Sequence, residues 1–466
     1  MARPKHQRPQ RSREQAAAPI PPEFPLDPFF DDAADQRRLI EALDAPPPVS
    51  IRLNPLKPFN IAAEQIPWCA TGRYLEQRPS FTLDPFLHAG AYYVQEASSM
   101  LLEQAIMATG CAERDVLALD LCAAPGGKST HLLSLLSPNS FLVANEPDGS
   151  RRRILQENLW KWGSFNAMVT GGEAEAFTVP GIGFDLILVD APCSGEGMFR
   201  KDEEARRQWS PRLVGQCART QARLLRDAWD ALSPGGHLVY STCTWEAMEN
   251  EMQVADLVAL GGECLEFPLD DSWGVARSAK QGTVGYRCYP HRVRGEGYFI
   301  AVVRKPGTLV GRGSHRVAST RNELPWLRND LRLDLIEQNG LMLARPASWS
   351  ASIDRLAGAV RMAQAGLPVA ERKGDAWRPY PAAALSAALN PDAMARIALS
   401  REDVLRYLRG EALPALEARG VALACYDNMP LGWLQGAGNR WNSRWPAAWR
   451  IRMTSSDRAP VPWAKP

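Results

Sequence analysis

Five apolar runs set the strongest constraint on how this chain can fold: VLALDLCA (116–123), SFLVANE (140–146), FDLILVDAP (184–192), HLVYSTC (237–243) and YFIAVV (298–303). Between them lie segments of helical period at about 128–136, 150–162, 217–232 and 246–260. Short runs that are apolar at nearly every position, rather than at every second one, are strands buried on both faces. Such strands separated by helices are parallel βαβ units, whose crossovers lay helices on both sides of an open sheet. The expected core is therefore an α/β, Rossmann-like, doubly wound sheet. Its ligands should sit beyond the carboxyl ends of the strands.

The flanks read differently. Residues 1–13, MARPKHQRPQRSR, hold five Arg or Lys and no acid, without the apolar centre of a secretory signal, and Pro4 and Pro9 speak against an amphipathic transit helix. Residues 1–24 read as a disordered basic arm, either touching phosphates or merely solvated. Residues 25–105 (AADQRRLIEALDA, SIRLNPLK, AGAYYVQEASSMLLEQ) suggest a small mixed α/β domain, and the sheet takes 106–305. An intermediate region, 306–380, opens on the loop-like GTLVGRGSHR and has no strong period.

The segment 399–413 reads as a helix with Ser400 as its N-cap. Residues 431–466 hold six Arg or Lys, one Asp and five tryptophans, Trp433, Trp441, Trp445, Trp449 and Trp463. Basic residues interleaved with aromatics suit an RNA-binding module over 381–466. Tryptophans also fill small cores, and both readings stand.

No apolar run approaches the roughly 18 residues needed to span a bilayer, so no membrane partner is expected. The net charge of +2 averages basic ends with a balanced middle and says little about partners. The nine cysteines are scattered, with no CxxC and no Cys/His cluster at zinc spacing. They read as reduced thiols of a cytoplasmic protein, and no metal is expected.

At the end of the first strand stands DLCAAPGGKST (120–130). A phosphate-binding loop would need glycine where Cys122 stands, and GxGxxG is absent, so neither nucleotide signature holds. What remains is a Gly126–Gly127 turn that lets a ligand approach the backbone, before a helix N-terminus. Glu146, after the second strand, is placed to hold a ribose hydroxyl pair. DAPCSGEGMFRKD (190–202) brings Asp190 and Cys193 to the same edge, with Gly195 and Gly197 making a flexible loop, and YSTCT brings Cys243.

Two cysteines at one sheet edge could be a nucleophilic pair, a disulfide, metal ligands or inert thiols. A helix opening near Thr244 would lend its dipole to Cys243, although Glu246, Glu249 and Glu251 oppose that effect. Lys128 either pairs with Asp190 or meets a phosphate. Arg200 and Lys201 either meet an RNA backbone or form a solvated face.

DLCAAPGGKS, VANE, DAPCSGEG and YSTCT, in this order and at these separations, resemble the Sun-type (nucleolar protein/Sun) RNA cytosine-5 methyltransferases. The resemblance covers about residues 25–305, including SIRLNPLK and GAYYVQEASSM. HRVRGEGYF (291–299) and the tail PLGWLQGAGNRWNSRWPAAWRI further resemble the RsmF-like bacterial subgroup, which methylates small-subunit (16S) ribosomal RNA. The resemblance implies a class I methyltransferase sheet, an N-terminal RNA-binding α/β domain and a C-terminal PUA-like RNA-binding region.

It also implies S-adenosylmethionine as cofactor. Cys122, Ala123, Ala124, Pro125, Gly126, Gly127 and Lys128 would cradle its methionine part, Glu146 its ribose and Glu173 its adenine, with Asp190 near the methyl group and the target base. By the same resemblance Cys243 is the nucleophile and Cys193 helps release the product, whereas DNA-methylating relatives use the Pro-Cys thiol. The expected partner is RNA, ribosomal RNA or the small subunit, and the chain is read as a monomer. The same chemistry on transfer RNA, and a non-catalytic RNA-binding assembly factor, are the alternatives.

Overall fold

The computed structural model describes residues 19–21, 24, 32–280, 282–309, 324–456 and 458–463. Most of the basic arm, and residues 310–323 of the stretch after the sheet, lie outside the described residues. Phe24, counted with the arm in the sequence reading, is buried, its ring 5.5 Å from that of Phe199 and 5.3 Å from that of Trp209. The first helix, α1 (Ala33–Asp44), is capped by Asp32, which accepts from Ala34 N, and buries Leu39 and Leu43 in the same cluster.

A three-stranded antiparallel sheet follows, with β1 (Val49–Leu53) between β2 (Gly72–Leu75) and β3 (Tyr92–Val94), and the short α2 (Pro85–His88) before β3. Helix α3 (Leu102–Ala108) leads to the main sheet. There, β4 (Leu117–Asp120), α4 (Gly127–Leu135), β5 (Phe141–Asn145), α5 (Gly149–Trp162), β6 (Ala167–Thr170), β7 (Phe184–Asp190), α6 (Glu203–Gln208), α7 (Pro211–Ala231) and β8 (Leu232–Thr242) follow in turn.

The five strands run parallel in the order β6-β5-β4-β7-β8. Beyond them come α8 (Glu251–Ala259), β9 (Glu263–Cys264), β10 (Ala276–Lys280), β11 (Thr283–Cys288) and β12 (Tyr298–Arg304). Strand β12 adds to β8 antiparallel, and β11 and β10 continue that edge. The strands are buried on both faces, as their continuous apolar runs require. Leu117 and Leu119 face one core and Ala118 the other, and Val143 opposes Leu142 and Ala144 in the same way.

Helix α7 starts earlier than its period suggests, at Pro211, because Ser210 accepts from Leu213 N and caps it. Helix α8 starts later, at Glu251, which corrects the expected helix opening near Thr244. Around Thr244 side chains stand in for the helical ladder, and a turn follows in which Glu249 N bonds Glu246 O: Thr242 Oγ1 donates to Asn250 Oδ1 (2.6 Å), Asn250 Nδ2 donates to Thr244 O (2.9 Å), and Glu246 N donates to Thr244 Oγ1 (3.1 Å). Cys243 therefore receives no helix dipole from that side.

The aperiodic region is folded too. Strands β13 (Leu333–Gln338) and β14 (Leu341–Pro346), helix α9 (Ser350–Ala359), and strands β15 (Met362–Gln364), β16 (Leu367–Lys373) and β17 (Ala376–Pro379) come next. They form a four-stranded sheet, β13-β14-β16-β17, while β15 joins β6 antiparallel at the far edge of the main sheet. After α10 (Pro381–Leu385) come β18 (Ala395–Ala398), α11 (Arg401–Arg409), β19 (Leu413–Ala418), β20 (Val421–Tyr426), β21 (Met429–Gly436) and β22 (Gly438–Ser443), with sheet order β18-β20-β21-β22-β19. Ser400 caps α11 by accepting from Asp403 N at 3.1 Å.

The tail tryptophans fill this domain's core. Trp433, Trp441, Trp445 and Trp449 are buried, and Trp433 Nε1 donates to Tyr380 O at 2.8 Å. Of the two readings left open for these tryptophans, the structure has core filling for these four, because a buried indole has no free face on which a base could stack. Trp463 reaches the N-terminal domain, donating to Asp84 Oδ2 at 3.0 Å. Ile51, Phe86 and Tyr92 share one apolar cluster with Tyr407, Tyr426 and Trp445, so the two flanking domains are joined through a common core. Among the described residues no helix is long and apolar enough to cross a membrane.

Candidate active site

The chain winds outward from β4 to β6 on one side and returns to β7 and β8 on the other. That reversal parts the loops at the carboxyl ends of β4 and β7 and leaves a crevice between them. Cys122 to Lys128 follow β4 on one side of it and Asp190 and Cys193 lie at the end of β7 on the other, with Glu146 after β5 and Cys243 after β8 each one strand further out.

Strand β4 ends at Asp120, and Gly126 turns the chain into α4 with φ +111°, a conformation that residues with a Cβ rarely adopt. The first amides of α4 have no partner within the helix and remain for a ligand. Asn145, at the end of β5, fixes the turn from behind. It donates to Leu121 O (3.2 Å) and Gly172 O (3.0 Å) and accepts from Thr170 Oγ1 (2.9 Å) and Gly172 N (3.0 Å). One amide side chain thus ties the ends of β4, β5 and β6.

Arg52, fully buried on β1, clamps the other side, donating to Gly127 O (3.2 Å), Thr130 Oγ1 (2.6 Å), Ser134 Oγ (3.1 Å) and Gln95 Oε1 (2.9 Å). An arginine inside the strand SIRLN was the sequence signal for this clamp, since a buried guanidinium needs several acceptors.

Glu146 is buried just past β5. Its Oε1 accepts from Asp148 N at 3.0 Å, and its Oε2 pairs with Arg151 at 3.1 Å. Arg151 also donates to Ala124 O at 2.9 Å, so one exposed guanidinium bridges the acid and the glycine turn. Sequence reasoning missed this residue. Glu173 follows β6 on the same edge, exposed and making no capping bond.

Asp190 ends β7, where Ser241 Oγ donates to Oδ1 and Lys128 Nζ to Oδ2, each at 2.8 Å. Of the two readings of Lys128, the structure has the ion pair, and the ammonium also lies 5.2 Å from the centre of the Tyr298 ring. Burial works against this cation, but Asp190 and Tyr298 outweigh it and hold the lysine above its ordinary range. Asp120, beneath the turn, accepts from Ser129 Oγ at 2.7 Å, and its Oδ1 has no partner among the described residues. Burial, opposed by the Ser129 bond and reinforced by Asp190, raises its carboxyl to about 7.

Cys193 Sγ and Cys243 Sγ lie 3.0 Å apart, both free, and Cys243 N donates to Cys193 Sγ at 3.3 Å. The separation exceeds the roughly 2.05 Å of a disulfide bond. The hydrogen bond with Cys243, burial and the charge of Glu249 all raise the Cys193 thiol well above its ordinary value.

The carboxylates that follow Cys243 hold its neighbours. Glu249 accepts from Ser194 N (3.1 Å), from Ser194 Oγ and from Gln221 Nε2 (2.7 Å). Glu251 pairs with Arg287 in the interior. Glu196 lies 2.7 Å from the same Ser194 hydroxyl and accepts from Trp209 Nε1 (2.5 Å) and Trp245 N (3.1 Å). The two cysteine loops also touch directly, Gly197 N donating to Cys243 O at 2.8 Å.

Arg200, one of the two expected RNA contacts, donates instead to Ala42 O (2.8 Å) and Gly295 O (3.0 Å), fastening α1 to the loop before β12. Lys201 lies 3.6 Å from Glu296. Elsewhere the fold gathers Cys69, Glu103 and His131, a group of metal-ligating side chains that no local spacing announced. His131 Nε2 is 3.3 Å from Glu103 Oε2 and 3.9 Å from Cys69 Sγ. Burial and the nearby Arg52 charge hold His131 down to about 4, so the group already has a cation beside it.

A family model described as 16S rRNA methyltransferase RsmB/F matches residues 108–304. Two more match the flanks: the N-terminal domain of 16S rRNA methyltransferase RsmF over 29–97, and the methyltransferase RsmF PUA domain over 395–451. Ribosomal RNA small subunit methyltransferase F of Erwinia tasmaniensis is 32% identical over 472 residues, covering 92% of this chain and 96% of that protein. The protein of that name from Escherichia coli K12 is 32% identical over 461 residues, covering 90% and 92%. The solved structure of PH0851 has a TM-score of 0.52 and 24% identity over 60% of this chain and 64% of that one, a likeness of fold.

Proposed function

Given that this chain belongs to the ribosomal RNA small subunit methyltransferase F family, we propose that it transfers a methyl group from S-adenosylmethionine to C5 of a cytosine in 16S ribosomal RNA. The observation that carries the chemistry is the pair of free thiols 3.0 Å apart, at the strand ends next to Asp190 and Lys128.

C5 of cytosine is too weak a nucleophile to take a methyl group unassisted. Cys243 Sγ adds to C6, and the C5=C6 electron pair moves to C5, which becomes nucleophilic. Asp190, fixed by Ser241 and Lys128, accepts from the amino group of the ring, and the Lys128 ammonium meets the negative charge that develops there. When bound, S-adenosylmethionine supplies the electrophilic methyl group that C5 takes.

The turn of Cys122, Ala123, Ala124, Pro125, Gly126, Gly127 and Lys128 fits the methionine part, because the first α4 amides suit a carboxylate and Gly126 makes the left-handed turn that presents them. Glu146 fits the ribose hydroxyls, with the exposed Arg151 as its present partner, and Glu173 is assigned to the adenine end. Loss of the C5 proton to water restores the C5=C6 bond, and the C6–S pair returns to Cys243 Sγ. Cys193, at 3.0 Å, is placed to hydrogen-bond that departing thiolate.

The test is a denaturing gel of protein incubated with small-subunit RNA and cofactor. Cys193→Ala accumulates a covalent RNA adduct and Cys243→Ala forms none; the reverse pattern overturns the assignment. Bisulfite mapping tests the substrate, and a mark on transfer RNA that is absent from 16S RNA overturns that part.

A further inference from the structure

The Cys193 turn is held by more than its own loop. Gln221, on α7, donates from one Nε2 to both Pro192 O (2.9 Å) and Glu249 Oε2 (2.7 Å), and the same carboxylate oxygen accepts from Ser194 N (3.1 Å). The residues on either side of Cys193 are thus fastened to one buried acid that stands six positions after Cys243. Nothing in the methyl-transfer scheme above uses that acid. We infer that Glu249 is a positioning residue for Cys193: it holds this turn against Cys243 and, when ionised, keeps Cys193 in its thiol form, poised to donate to Cys243 Sγ. The inference rests on the proposed methyl transfer.

Two identical side chains 3.0 Å apart cannot both ionise, so something must decide which sulfur holds the remaining proton. The Cys243 N–H points at Cys193 Sγ and by itself would favour the anion on Cys193, the wrong sulfur for attack. Glu249 opposes it. The ionisable groups facing Glu249 are Glu196, across the shared Ser194 hydroxyl, Cys193 in the turn it holds, Cys217 on α7 and Tyr240 on β8, whose hydroxyl bonds Glu249 O. Glu246 faces Glu196 and Arg287. Among the described residues none of these groups facing Glu249 is a cation, and the Glu249 charge acts on Cys193 in the same direction as burial.

Burial raises the Glu249 carboxyl to about 7, and Glu196 adds to that against the Ser194 and Gln221 bonds. Its influence on Cys193 therefore switches on as pH rises through neutrality. During product release the thiol of Cys193 donates to Cys243 Sγ as that sulfur recovers the C6–S electron pair, and no further proton is needed between them.

The test measures alkylation of Cys193 by iodoacetamide between pH 5.5 and 10, read by peptide mass spectrometry, in full-length Cys243→Ala protein with and without Glu249→Gln. Glutamine keeps an acceptor for Ser194 N and removes the charge. The expected result is equal rates at pH 5.5 and about tenfold faster alkylation of the double variant at pH 8.5, a downward midpoint shift of about one unit. A merely structural clamp gives no such pH-dependent divergence, and curves that coincide at every pH overturn the inference.

Should Glu249→Gln fail to fold, Cys243→Ala alone carries the test. Its log rate must flatten near pH 7, where Glu249 ionises, and resume its rise above; a straight line through neutrality overturns the inference. The alkylation readout needs no methyl transfer. If the wild type forms no 5-methylcytosine, the proposed function fails independently of it.

Discussion

Replacing Gly197 by alanine is expected to slow methyl transfer about a hundredfold while leaving the protein folded. Gly197 stands where the Cys193 loop crosses both the Cys243 carbonyl and the loop before β12. A Cβ there would lie 2.4 Å from Gly297 O and 2.8 Å from Cys243 O, both backbone atoms. Carbon-to-oxygen contacts settle at about 3.3 Å, so the loops must part by roughly 0.9 Å on the Gly297 side and roughly 0.5 Å on the Cys243 side. The smaller of the two shifts parts the loops that carry the thiols, the larger pushes the Cys193 loop away from the loop before β12, and misplacing a reacting group by about 1 Å costs about 10²-fold in rate.

The stability cost of such overpacking is about 1–3 kcal/mol, within what a domain of ordinary stability survives. The assay follows methyl incorporation into small-subunit RNA under single-turnover conditions, beside a urea unfolding curve for each protein. Gly215→Ala is the control: its Cβ would meet only the end of the Arg219 side chain, at 3.6 Å, inside helix α7. It should gain about 0.5–1 kcal/mol with activity unchanged. Activity of Gly197→Ala within a few-fold of wild type would refute the argument that these loops cannot part without loss of catalysis.

Glu251→Ala leaves Arg287 buried without its carboxylate partner and should cost about 3–5 kcal/mol, read as a fall in the urea midpoint at constant slope. Trp433→Ala removes a fully buried indole from the C-terminal core and should cost about 3–5 kcal/mol, while cofactor binding by calorimetry stays unchanged. Burial raises Glu296 from the ordinary 4.5 to about 7 against the pull of Lys201 and Arg200. Its folded form keeps a proton that the unfolded chain loses, so stability falls as pH rises from about 4.5 to 7. Glu296→Gln should abolish this loss, worth about 3 kcal/mol at pH 8 and little at pH 4.5, in unfolding curves at the two pH values.

The main strands were legible because burial on both faces forces apolar residues at consecutive positions, and that composition survives in a single sequence. Strand β6 escaped notice because four residues, AMVT, give too short a run to separate from a helix segment. Strand β10 escaped because its pattern is mostly exposed. The helix expected at 246–260 began five residues late because Thr242, Thr244 and Asn250 bond one another in place of the helical ladder. The interleaving of arginine and tryptophan in the tail left stacking and core open, and only the neighbours of each ring decided between them.

By itself, the sequence determined the kind of sheet, the edge on which a ligand site must lie, and the residue types delivered there: a glycine turn, two acids and two thiols. Those follow from local rules, the period of burial and the backbone freedom of glycine. Only the tertiary structure decided that Cys193 and Cys243 meet at 3.0 Å, that Lys128 pairs with Asp190, and that Arg200 fastens two loops inside the protein. It also gave Glu249, Glu251 and Asn145 their tasks, as partners of Ser194, Arg287 and Leu121. Each of these depends on which side chain from a distant segment arrives within about 3 Å, and no local pattern encodes that distance.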